Sequence, residues 1–498
     1  MDNKNILVVG GGTAGWLAAL KLQLFYPQTK ITLVASEEIG ILGAGEGTVP
    51  LVTTFLNELG ISVSDIVKNC SGTIKLGIEF KNWQEGEGSF LHGFSVTDPL
   101  DHFPKDIVLD VIESIHSRYK HLDDITFNAK LIANKKTSFS FSNTLNFNGP
   151  PEDSLNWYGQ PALHFDANKL AAYLKDTAVS RGITYIDAKV TEFKLTETQE
   201  ISAVALANGS TVETDFVVDC SGFARLVVGG VYKEEWISYS DKLPVDTAIP
   251  FFIPHDNDVA PSTEAIAMKY GWVWKIPVQD RYGCGYVFDS NYTDKEAALA
   301  EAEEYFGIPL SSPREFKFNA GRYKNTLVKN CLALGLAQSF IEPLEATSIY
   351  VTCAVLNSFC YNNGLHTWDS KYLSKRVNTD YANLMYDIAE FIHMHYITNR
   401  KDTAFWRDFS AKHPLSKQVL ETIEQLKQNP SAELSGELGA AFPNYSWVLL
   451  LRGLGHITYT TPPTENGEAY CTALETNQNN MVRMCMTHKE FIEYSQGV

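Results

Sequence analysis

A glycine-rich turn near the start of the chain most constrains its fold. Residues 10–16 read GGGTAGW, and they follow the apolar run of residues 6–9 (ILVV), which is typical of a buried parallel strand. A helical pattern begins directly after the turn. In this GxGxxG spacing Gly10 permits the tight turn, Gly12 lets a pyrophosphate approach the backbone, and Gly15 lets helix and strand pack closely. The pattern predicts a Rossmann-type α/β fold in which the helix N-terminus faces the anion.

Of two further strands, one departs from the dinucleotide pattern and the other favours FAD over NAD. An acid that binds a ribose hydroxyl is expected where the second strand, residues 31–34, ends. That position holds Ala35, so the contact falls to Ser36 or Glu37. Residues 215–222 (DFVVDCSG) form a buried strand that delivers Asp-Cys-Ser-Gly at its end, which resembles the second dinucleotide motif of FAD enzymes.

Composition excludes several classes of partner. The chain has 498 residues, 44% hydrophobic and 20% charged, with a net charge of −18, which argues against a nucleic acid or an anionic membrane as partner. It contains neither a long apolar span nor a signal peptide, so we expect a cytoplasmic location. Eight cysteines lie scattered without zinc-type spacing, which predicts buried free thiols and no metal site.

The order of the patterns predicts two parts. Residues 1–365 form a discontinuous FAD-binding domain, interrupted at about 75–160 and 225–325 by strands that roof a substrate pocket. Residues 366–498 form a helical region that caps the substrate.

Several separate motifs identify a family. They are residues 43–48 (GAGEGT), 75–83 (KLGIEFKNW), 164–167 (HFDA), 272–277 (WVWKIP), 285–288 (GYVF), 341–345 (IEPLE) and 402–406 (DTAFW). Together with the glycine turn, and in this order, they resemble the flavin-dependent halogenases of the tryptophan halogenase family.

The resemblance implies a fold, a reaction and partners. The fold is that of FAD-dependent monooxygenases, a Rossmann-type FAD fold with a mixed sheet plus a mainly helical C-terminal region. Reduced FAD (FADH2), supplied by a separate flavin reductase, and O2 convert a halide (chloride, bromide or iodide) to hypohalous acid, which halogenates a small electron-rich aromatic such as an indole or phenol. The sequence leaves open whether the chain forms a homo-oligomer. The cofactor-binding positions that the resemblance implies are Gly10, Gly12, Thr13, Ala14, Gly15, Ser36, Glu46, Val190, Gly335, Leu344 and Ile349.

Two residues match the family's catalytic pair. Lys75 can hydrogen-bond hypohalous acid or hold the halogen as a haloamine, whereas the alternative is an ordinary surface lysine. Glu345 can hydrogen-bond the acid or remove the ring proton, and it can equally be a helix N-terminal acid that is stabilised by the helix dipole.

The halide site departs from the family pattern. The family usually shows Ser-Thr-Gly after the glutamate and holds halide near the last two residues, whereas this chain has Ala346, Thr347 and Ser348. A serine in place of glycine removes the freedom to adopt a positive φ and adds a hydroxyl. Halide preference is therefore open.

Aromatic residues mark the substrate pocket. His92 and Phe94 match the side chains that enclose the indole, although both could be ordinary core residues. Trp272 and Trp274 lie at i and i+2 on a strand and point to one face, so they either fill the wall between flavin and substrate or are simply core residues.

A late segment bears on substrate choice. The tryptophan-specific members carry a Tyr- and Glu-rich stretch that closes over the amino acid, whereas residues 431–447 here lack it, so free tryptophan is doubtful as substrate. Phe442 in this segment can still stack on a ring.

Two other functions remain as alternatives. A flavin-dependent aromatic hydroxylase shares the dinucleotide motifs but lacks the combination of Lys75, WxWxIP and Glu345. A flavin carrier without catalytic activity explains none of these three features.

Overall fold

The computed structural model describes residues 4–40, 46–86, 88–94, 114–115, 118, 126–140, 161–255, 258–311, 314–430, 432–434, 436–459 and 464–497. Three predicted features fall partly outside these residues. They are residues 43–45 of the GAGEGT turn, much of the first roof segment, and Ser431 and Ser435 of the late segment.

The strands of the described residues, in chain order, are β1 (Asn5–Val9), β2 (Lys30–Ala35), β3 (Glu46–Gly47), β4 (Thr73–Lys75), β5 (Gly77–Lys81), β6 (Ser89–Gly93), β7 (Lys136–Ser140), β8 (Ala162–Phe165), β9 (Thr184–Asp187), β10 (Val190–Leu195), β11 (Ile201–Leu206), β12 (Thr211–Glu213), β13 (Phe216–Asp219), β14 (Trp236–Ser238), β15 (Thr247–Ile253), β16 (Thr263–Ala267), β17 (Gly271–Val278), β18 (Arg281–Phe288), β19 (Phe316–Lys317), β20 (Gly321–Tyr323), β21 (Leu327–Val328), β22 (Cys331–Ala333), β23 (Ser339–Phe340) and β24 (Cys485–Thr487).

The α-helices of the same residues are α1 (Thr13–Phe25), α2 (Pro50–Glu58), α3 (Val63–Asn69), α4 (Phe127–Ala133), α5 (Ala167–Ser180), α6 (Lys295–Phe306), α7 (Ser348–Tyr361), α8 (Gly364–Thr367), α9 (Lys371–His395), α10 (Ala404–Lys412), α11 (Lys417–Gln428), α12 (Asn444–Gly453), α13 (Glu465–Met484) and α14 (His488–Gln496). Short helical turns cover Gly222–Ala224, Leu226–Val231, Gly335–Ala337 and Pro343–Glu345.

A six-stranded sheet carries the glycine turn. Its order is β21-β22-β13-β1-β2-β9, and its neighbouring strands are parallel except for the antiparallel pair β21 and β22. Alternate residues of β1 enter different cores, because Ile6 and Val8 pack on one face and Leu7 and Val9 on the other. The carboxyl ends of β1, β13 and β22 therefore meet at the edge where the glycine turn begins.

A seven-stranded sheet stands beside it, in the order β19-β15-β18-β17-β16-β5-β6. Its neighbouring strands are antiparallel except for the parallel pair β5 and β16. The sheet joins strands from both predicted roof segments. Trp272 and Trp274 face the main core, whereas Val273 between them faces a separate core, as the two-residue period of a strand requires.

The long helix α9 brings the C-terminal region against this sheet. Its buried residues recur with helical spacing, including Val377, Tyr381, Leu384, Ile388 and Phe391. The last residue of the helix, His395, contacts Phe80 of β5. The helix therefore ends against β5 of the seven-stranded sheet.

The predicted fold class is confirmed: a parallel α/β sheet is combined with a mixed sheet and a mainly helical C-terminal region. One strand interrupts the helices of that region, because β24 pairs antiparallel with β7. The domain boundaries themselves remain a prediction. No helix within the described ranges is long and apolar enough to cross a membrane.

Candidate active site

The glycine turn is built as a cradle for an anion. A Cβ on Gly10, whose φ is +116°, would lie 2.1 Å from the carbonyl oxygen of Cys220, and one on Gly15 would lie 2.0 Å from that of Gly10. Among the described residues, no atom lies within 4 Å of a Cβ placed on Gly12. Gly12 is also the N-cap of α1, and no side chain caps the helix there. Free backbone N–H groups at Thr13 and Ala14 therefore face open space, which suits a pyrophosphate.

The turns that follow β22 and β13 lie against the glycine turn. A Cβ on Gly335, whose φ is +61°, would lie 2.8 Å from Cβ of Ala14. At the end of β13 the Asp219 carboxylate accepts hydrogen bonds from the backbone N–H groups of Ser221, Val227 and Val228. Asp219 thus fixes the turn that follows β13.

Ser36, Glu37 and Glu38 follow the end of β2. The Glu37 carboxylate accepts a hydrogen bond from Lys175 at 2.7 Å, and Glu38 forms an ion pair with Lys189 at 2.8 Å. Val190 begins β10 directly after Lys189. Because both carboxylates are bound to lysines, Ser36 is favoured over Glu37 for a ribose contact.

Glu46 lies on β3, opposite Phe165 of β8. Burial, together with the negative charge of Asp166, raises the pKa of Glu46 to about 7. This carboxyl group can therefore exchange a proton near neutral pH.

Lys75, the last residue of β4, is fully buried, so the alternative of a surface lysine is wrong. Its Nζ has no hydrogen-bond partner among the described residues and lies 5.1 Å from the ring centroid of Phe94. It would lie 3.2 Å from a Cβ on Gly47. Burial lowers the pKa of Lys75 to about 7, although the charge of Glu345 acts in the opposite direction. Within the described ranges Lys75 is thus an amine without a hydrogen-bond partner, poised between its two protonation states.

Glu345 is fully buried and is bound by two histidines. Both of its oxygens lie 3.0 Å from Nδ1 of His92, and Oε1 also lies 3.0 Å from Nε2 of His395. Burial alone would raise the pKa of Glu345, but the charges and hydrogen bonds of the two histidines lower it to about 2. Glu345 is therefore a carboxylate at neutral pH.

The backbone after Glu345 differs from the sequence expectation. Ala346 has the positive φ, +55°, whereas Ser348 begins helix α7 in a conformation that any residue adopts. Ser348 therefore does not need the backbone freedom of glycine, because the helix starts at that residue. Thr347 is the N-cap of α7, and no side chain caps this helix.

Aromatic side chains line the space beside Glu345. The ring of His92 lies 6.0 Å from that of Phe94 and 6.2 Å from that of Phe442, between centroids. Phe391 of α9 stacks on Phe442 at 3.9 Å. The Asp387 carboxylate accepts hydrogen bonds from the backbone N–H groups of Ala441 and Phe442 and so fixes the position of the Phe442 ring.

Trp272 and Trp274 stand together on β17, with ring centroids 6.2 Å apart. Trp274 lies flat over its cross-strand partner Gly285, where a Cβ would come within 2.2 Å of the indole. This contact explains why the GYVF motif begins with glycine. Both indoles belong to the main core, on the face of the sheet that Phe80 and Phe94 share.

The structure thus brings together Lys75, Glu345, His92, Phe94 and Phe442, which come from five elements or loops. Leu344 and Ile349 are buried beside Glu345 and at the start of α7. Sequence reasoning missed His395, Phe391 and Asp387. Their helical spacing along α9 shows one buried face, but nothing in the sequence indicates that this face ends at Glu345.

Comparison with known proteins decides the family. Residues 5–468 match the family model described as tryptophan halogenase. The tryptophan 7-halogenase RebH of Lentzea aerocolonigenes is 30% identical over 99% of this chain and 98% of its own length. The chain belongs to the tryptophan halogenase family.

Solved structures of halogenases agree along the whole chain. The tryptophan 6-halogenase SttH of Streptomyces toxytricini superposes with a TM-score of 0.88 at 27% identity, covering 99% of each chain. The flavin-dependent halogenase BrvH of Brevundimonas sp. BAL3 gives a TM-score of 0.85 at 29% identity, again over 99% of each chain. The predicted flavin-dependent halogenase class is confirmed, and the hydroxylase alternative gains no support.

Two further predictions concern the cysteines and a metal site. All eight cysteines are buried free thiols, as predicted. Among the described residues of this halogenase no group of three His, Cys, Asp or Glu side chains is placed to hold a metal ion.

Proposed function

We propose that this halogenase uses FADH2, O2 and halide to form hypohalous acid, which it directs onto an electron-rich aromatic such as an indole or phenol. The observation that carries the proposal is the buried pair of an amine without a hydrogen-bond partner and a carboxylate, Lys75 and Glu345, beside the aromatic cluster of His92, Phe94 and Phe442. A buried amine and carboxylate of this kind suit a reaction through a neutral, electrophilic oxidant such as hypohalous acid. They suit a direct transfer of oxygen to the substrate less well.

The residues present fit FAD. The open space at Gly12 and the uncapped start of α1 suit the pyrophosphate, and Ser36 suits a ribose hydroxyl. We assign Thr13, Ala14, Glu46, Val190, Gly335, Leu344 and Ile349 to the same cofactor on the strength of the family motifs. Reduced FAD would supply, together with O2, the oxidising equivalents for the halide, and a separate reductase would supply the reduced flavin.

We assign the halide to the start of α7. The N-cap Thr347 and the first helical residue Ser348 present backbone N–H groups that no side chain caps, and the helix dipole favours an anion there. The left-handed turn at Ala346 sets the direction in which these groups point.

Lys75 would receive the hypohalous acid. Because its Nζ is not tied to another side chain, it can hydrogen-bond the oxidant or accept the halogen. Burial holds its pKa near 7, so the amine is accessible at neutral pH without being fully deprotonated.

Glu345 would remove the ring proton after the halogen has added. A carboxylate held ionised in a closed site can accept that proton without first losing one to solvent. The same negative charge would stabilise the cationic ring that forms when the halogen is attached.

The substrate is proposed to lack an amino-acid head group. Among the described residues of the 431–447 segment the acidic side chains, Glu433 and Glu437, are exposed, so they do not point into the aromatic cluster. RebH and SttH are named for tryptophan, whereas BrvH is named only as a flavin-dependent halogenase, without a substrate. We therefore expect simple indoles or phenols to be accepted better than free tryptophan.

The wall that Trp272 and Trp274 form is proposed to keep the flavin and the ring apart, so that oxygen does not pass directly to the substrate. We further propose a cytoplasmic location, since eight unpaired thiols are typical of a reducing compartment.

The function is tested by incubating the protein with indole, FAD, a flavin reductase, NADH and O2, with and without bromide. We expect a product with the isotope doublet of bromine that appears only when bromide is present. A product that gains oxygen regardless of halide would instead establish the hydroxylase. A parallel reaction with free tryptophan tests the substrate assignment, which fails if tryptophan is turned over much faster than indole.

A further inference from the structure

We propose that His488, the first residue of the C-terminal helix α14, is a positioning residue for Lys75 and acts by binding the backbone of β4. The inference rests on the proposed role of Lys75 as the group that receives the hypohalous acid. No motif of the sequence analysis includes His488, and its assignment comes from its hydrogen bonds and its place in the fold.

The strand that ends in Lys75 has one edge that no other strand covers in the described part of the chain. In the sheet β3-β8-β4, the strand β4 pairs antiparallel with β8 along one side. The backbone N–H groups of Ile74 and Leu76, on either side of Lys75, find their acceptors outside that sheet. Both residues are fully buried, so water does not replace these acceptors.

A second backbone segment supplies an acceptor to each N–H group, once directly and once through His488. The N–H of Leu76 donates to the carbonyl oxygen of Pro261 at 2.7 Å. The N–H of Ile74 donates instead to Nε2 of His488 at 3.0 Å, and Nδ1 of the same ring lies 3.1 Å from the carbonyl oxygen of Val259. The imidazole therefore bridges the two backbones next to the point where they bind each other directly.

These two contacts fix the tautomer of His488 without any assumption about a neighbouring side chain. A backbone N–H can only donate, so Nε2 accepts and carries no proton. A backbone carbonyl can only accept, so Nδ1 carries the proton, and the ring is neutral. Burial also lowers the pKa of His488 to about 4, which agrees with a neutral ring at pH 7.

Two residues of the sequence motifs bind the start of the same strand. The hydroxyl of Thr73 donates to the carbonyl oxygen of Pro277 at 2.7 Å, and Nδ1 of His164 lies 3.0 Å from that hydroxyl. Groups from the N-terminal part of the chain thus bind β4 and its end at Thr73 and Leu76. His488 adds the contact between these two points, and it comes from the C-terminal region.

The backbone contacts matter because Lys75 has no other attachment among the described residues. Its Nζ lacks a hydrogen-bond partner there and lies beside Phe94 and Gly47. The place of the amine is therefore set by the backbone of β4 and by packing. Loss of the bond from Ile74 would leave a buried N–H unpaired and allow β4 to shift. A shift of about 1 Å at a reacting group can cost roughly a hundredfold in rate.

The hydrogen bonds of His488 can be measured without any activity. In the wild-type protein labelled with ¹⁵N-histidine, we expect the NMR signals of His488 at pH 7 to show a protonated Nδ1 and an unprotonated Nε2. The signals are assigned by their loss in His488→Gln. A ring that is protonated at Nε2, as the other tautomer or as a cation, overturns the proposal, because it cannot accept the N–H of Ile74.

Two amide variants test the effect on Lys75. His488→Gln retains an acceptor oxygen at about the reach of Nε2, whereas His488→Asn retains a donor at about the reach of Nδ1. We expect the ratio of halogenated product to FADH2 consumed to stay close to wild type in His488→Gln. In His488→Asn it should fall by about tenfold or more, with FADH2 consumption unchanged. Equal ratios in the two variants would reject the positioning role.

Phe491→Leu is the matched control for the packing of α14. Phe491 lies in the same helix and stacks on Phe139 of β7, with ring centroids 4.2 Å apart. We expect this variant to lower the free energy of unfolding without lowering the product ratio. If it lowers the ratio as much as His488→Asn does, general packing of the helix supports the reaction, and the proposal fails. Should His488→Asn not fold, a folded His488→Gln that loses the product ratio rejects the proposal by itself.

The proposed function and the positioning role fail separately. If the wild-type protein produced no halogenated product, the proposed function would fail, yet the NMR signals would still decide the hydrogen bonds of His488. If halogenation were robust and His488→Asn left the product ratio unchanged, only the positioning role would be lost.

Discussion

The proposed flavin cradle and the proposed halogen pocket are built in opposite ways. The cradle is made of backbone: Gly10, Gly12 and Gly15 shape it within six residues, and its donors are the N–H groups at the start of α1. The pocket is made of side chains from distant segments, since His92 and Glu345, which are in contact, lie 253 positions apart. In the cradle, backbone atoms leave no room for a Cβ at Gly10 or Gly15. In the pocket, the proposed chemistry depends on which charged side chains are left unpaired.

The largest effect is expected in the cradle. Gly10→Ala would place a Cβ 2.1 Å from the carbonyl oxygen of Cys220 and should abolish flavin binding and halogenation together. Gly12→Ala is the matched control, because a Cβ there meets no atom within 4 Å in the part of the chain that the structure describes. It should fold normally and weaken only FAD binding. Titration of FAD into both variants, with circular dichroism to check folding, measures the difference. Equal behaviour of the two variants would contradict the cradle geometry.

In the pocket, Lys75→Ala should remove the halogenated product almost completely, because no other buried amine lies beside Phe94 among the described residues. Lys81→Ala is the control from the same motif, since the Lys81 ammonium is paired with Glu264 at 3.0 Å and half-exposed. Product analysis by mass spectrometry should show near wild-type yields for Lys81→Ala. Halogenation by Lys75→Ala at the wild-type rate would refute the assignment.

A smaller loss is expected for Glu345→Gln. The amide keeps the shape of the side chain but neither accepts the ring proton nor carries the charge, so the rate should fall by about tenfold to a hundredfold. Single-turnover kinetics with indole gives this rate. If the fall is seen only in KM and not in kcat, the residue binds the substrate and does not take the proton.

Because Lys75 is buried without a hydrogen-bond partner among the described residues, its effect on the free energy of unfolding should depend on pH. Its folded pKa of about 7 lies below that of an unfolded lysine, so folding is penalised whenever the unfolded chain holds the proton. Lys75→Met should therefore stabilise the protein at pH 6 by at least about 1 kcal/mol, and the gain should vanish as the pH approaches about 10.4. Denaturant unfolding at pH 6 and pH 9 measures it. A loss of stability at pH 6 would show that the ammonium is paired.

The smallest effect concerns the halide. Larger halides are easier to oxidise, so bromide should be used at least as well as chloride at the start of α7, where Ser348 replaces the family's glycine. A competition at equal concentrations of the two halides measures the preference. Mainly chlorinated product would reject the expectation.

The contrast between a cradle made of backbone and a pocket made of side chains also explains how much of the structure the sequence could predict. Strand, turn and helix follow one another locally around Gly10, so the cradle follows from spacing alone. The common face of Trp272 and Trp274 follows from the strand period, and the fold class follows from both. The partner of Glu345 at the end of α9 depends on tertiary packing of a helix 50 residues later, which no local pattern encodes. That the positive φ falls at Ala346 and not at Ser348 likewise depends on where α7 starts, which the sequence pattern does not show.

The proposed division assigns flavin oxidation to the flavin cradle and halogen transfer to the halogen pocket. It is tested most directly by recording FADH2 consumption and halogenated product in the same reaction, for the wild type and for Lys75→Ala. We predict that Lys75→Ala consumes FADH2 at close to the wild-type rate while the ratio of product to FADH2 falls towards zero. An unchanged ratio, or a variant that no longer binds and oxidises the flavin, would contradict this division.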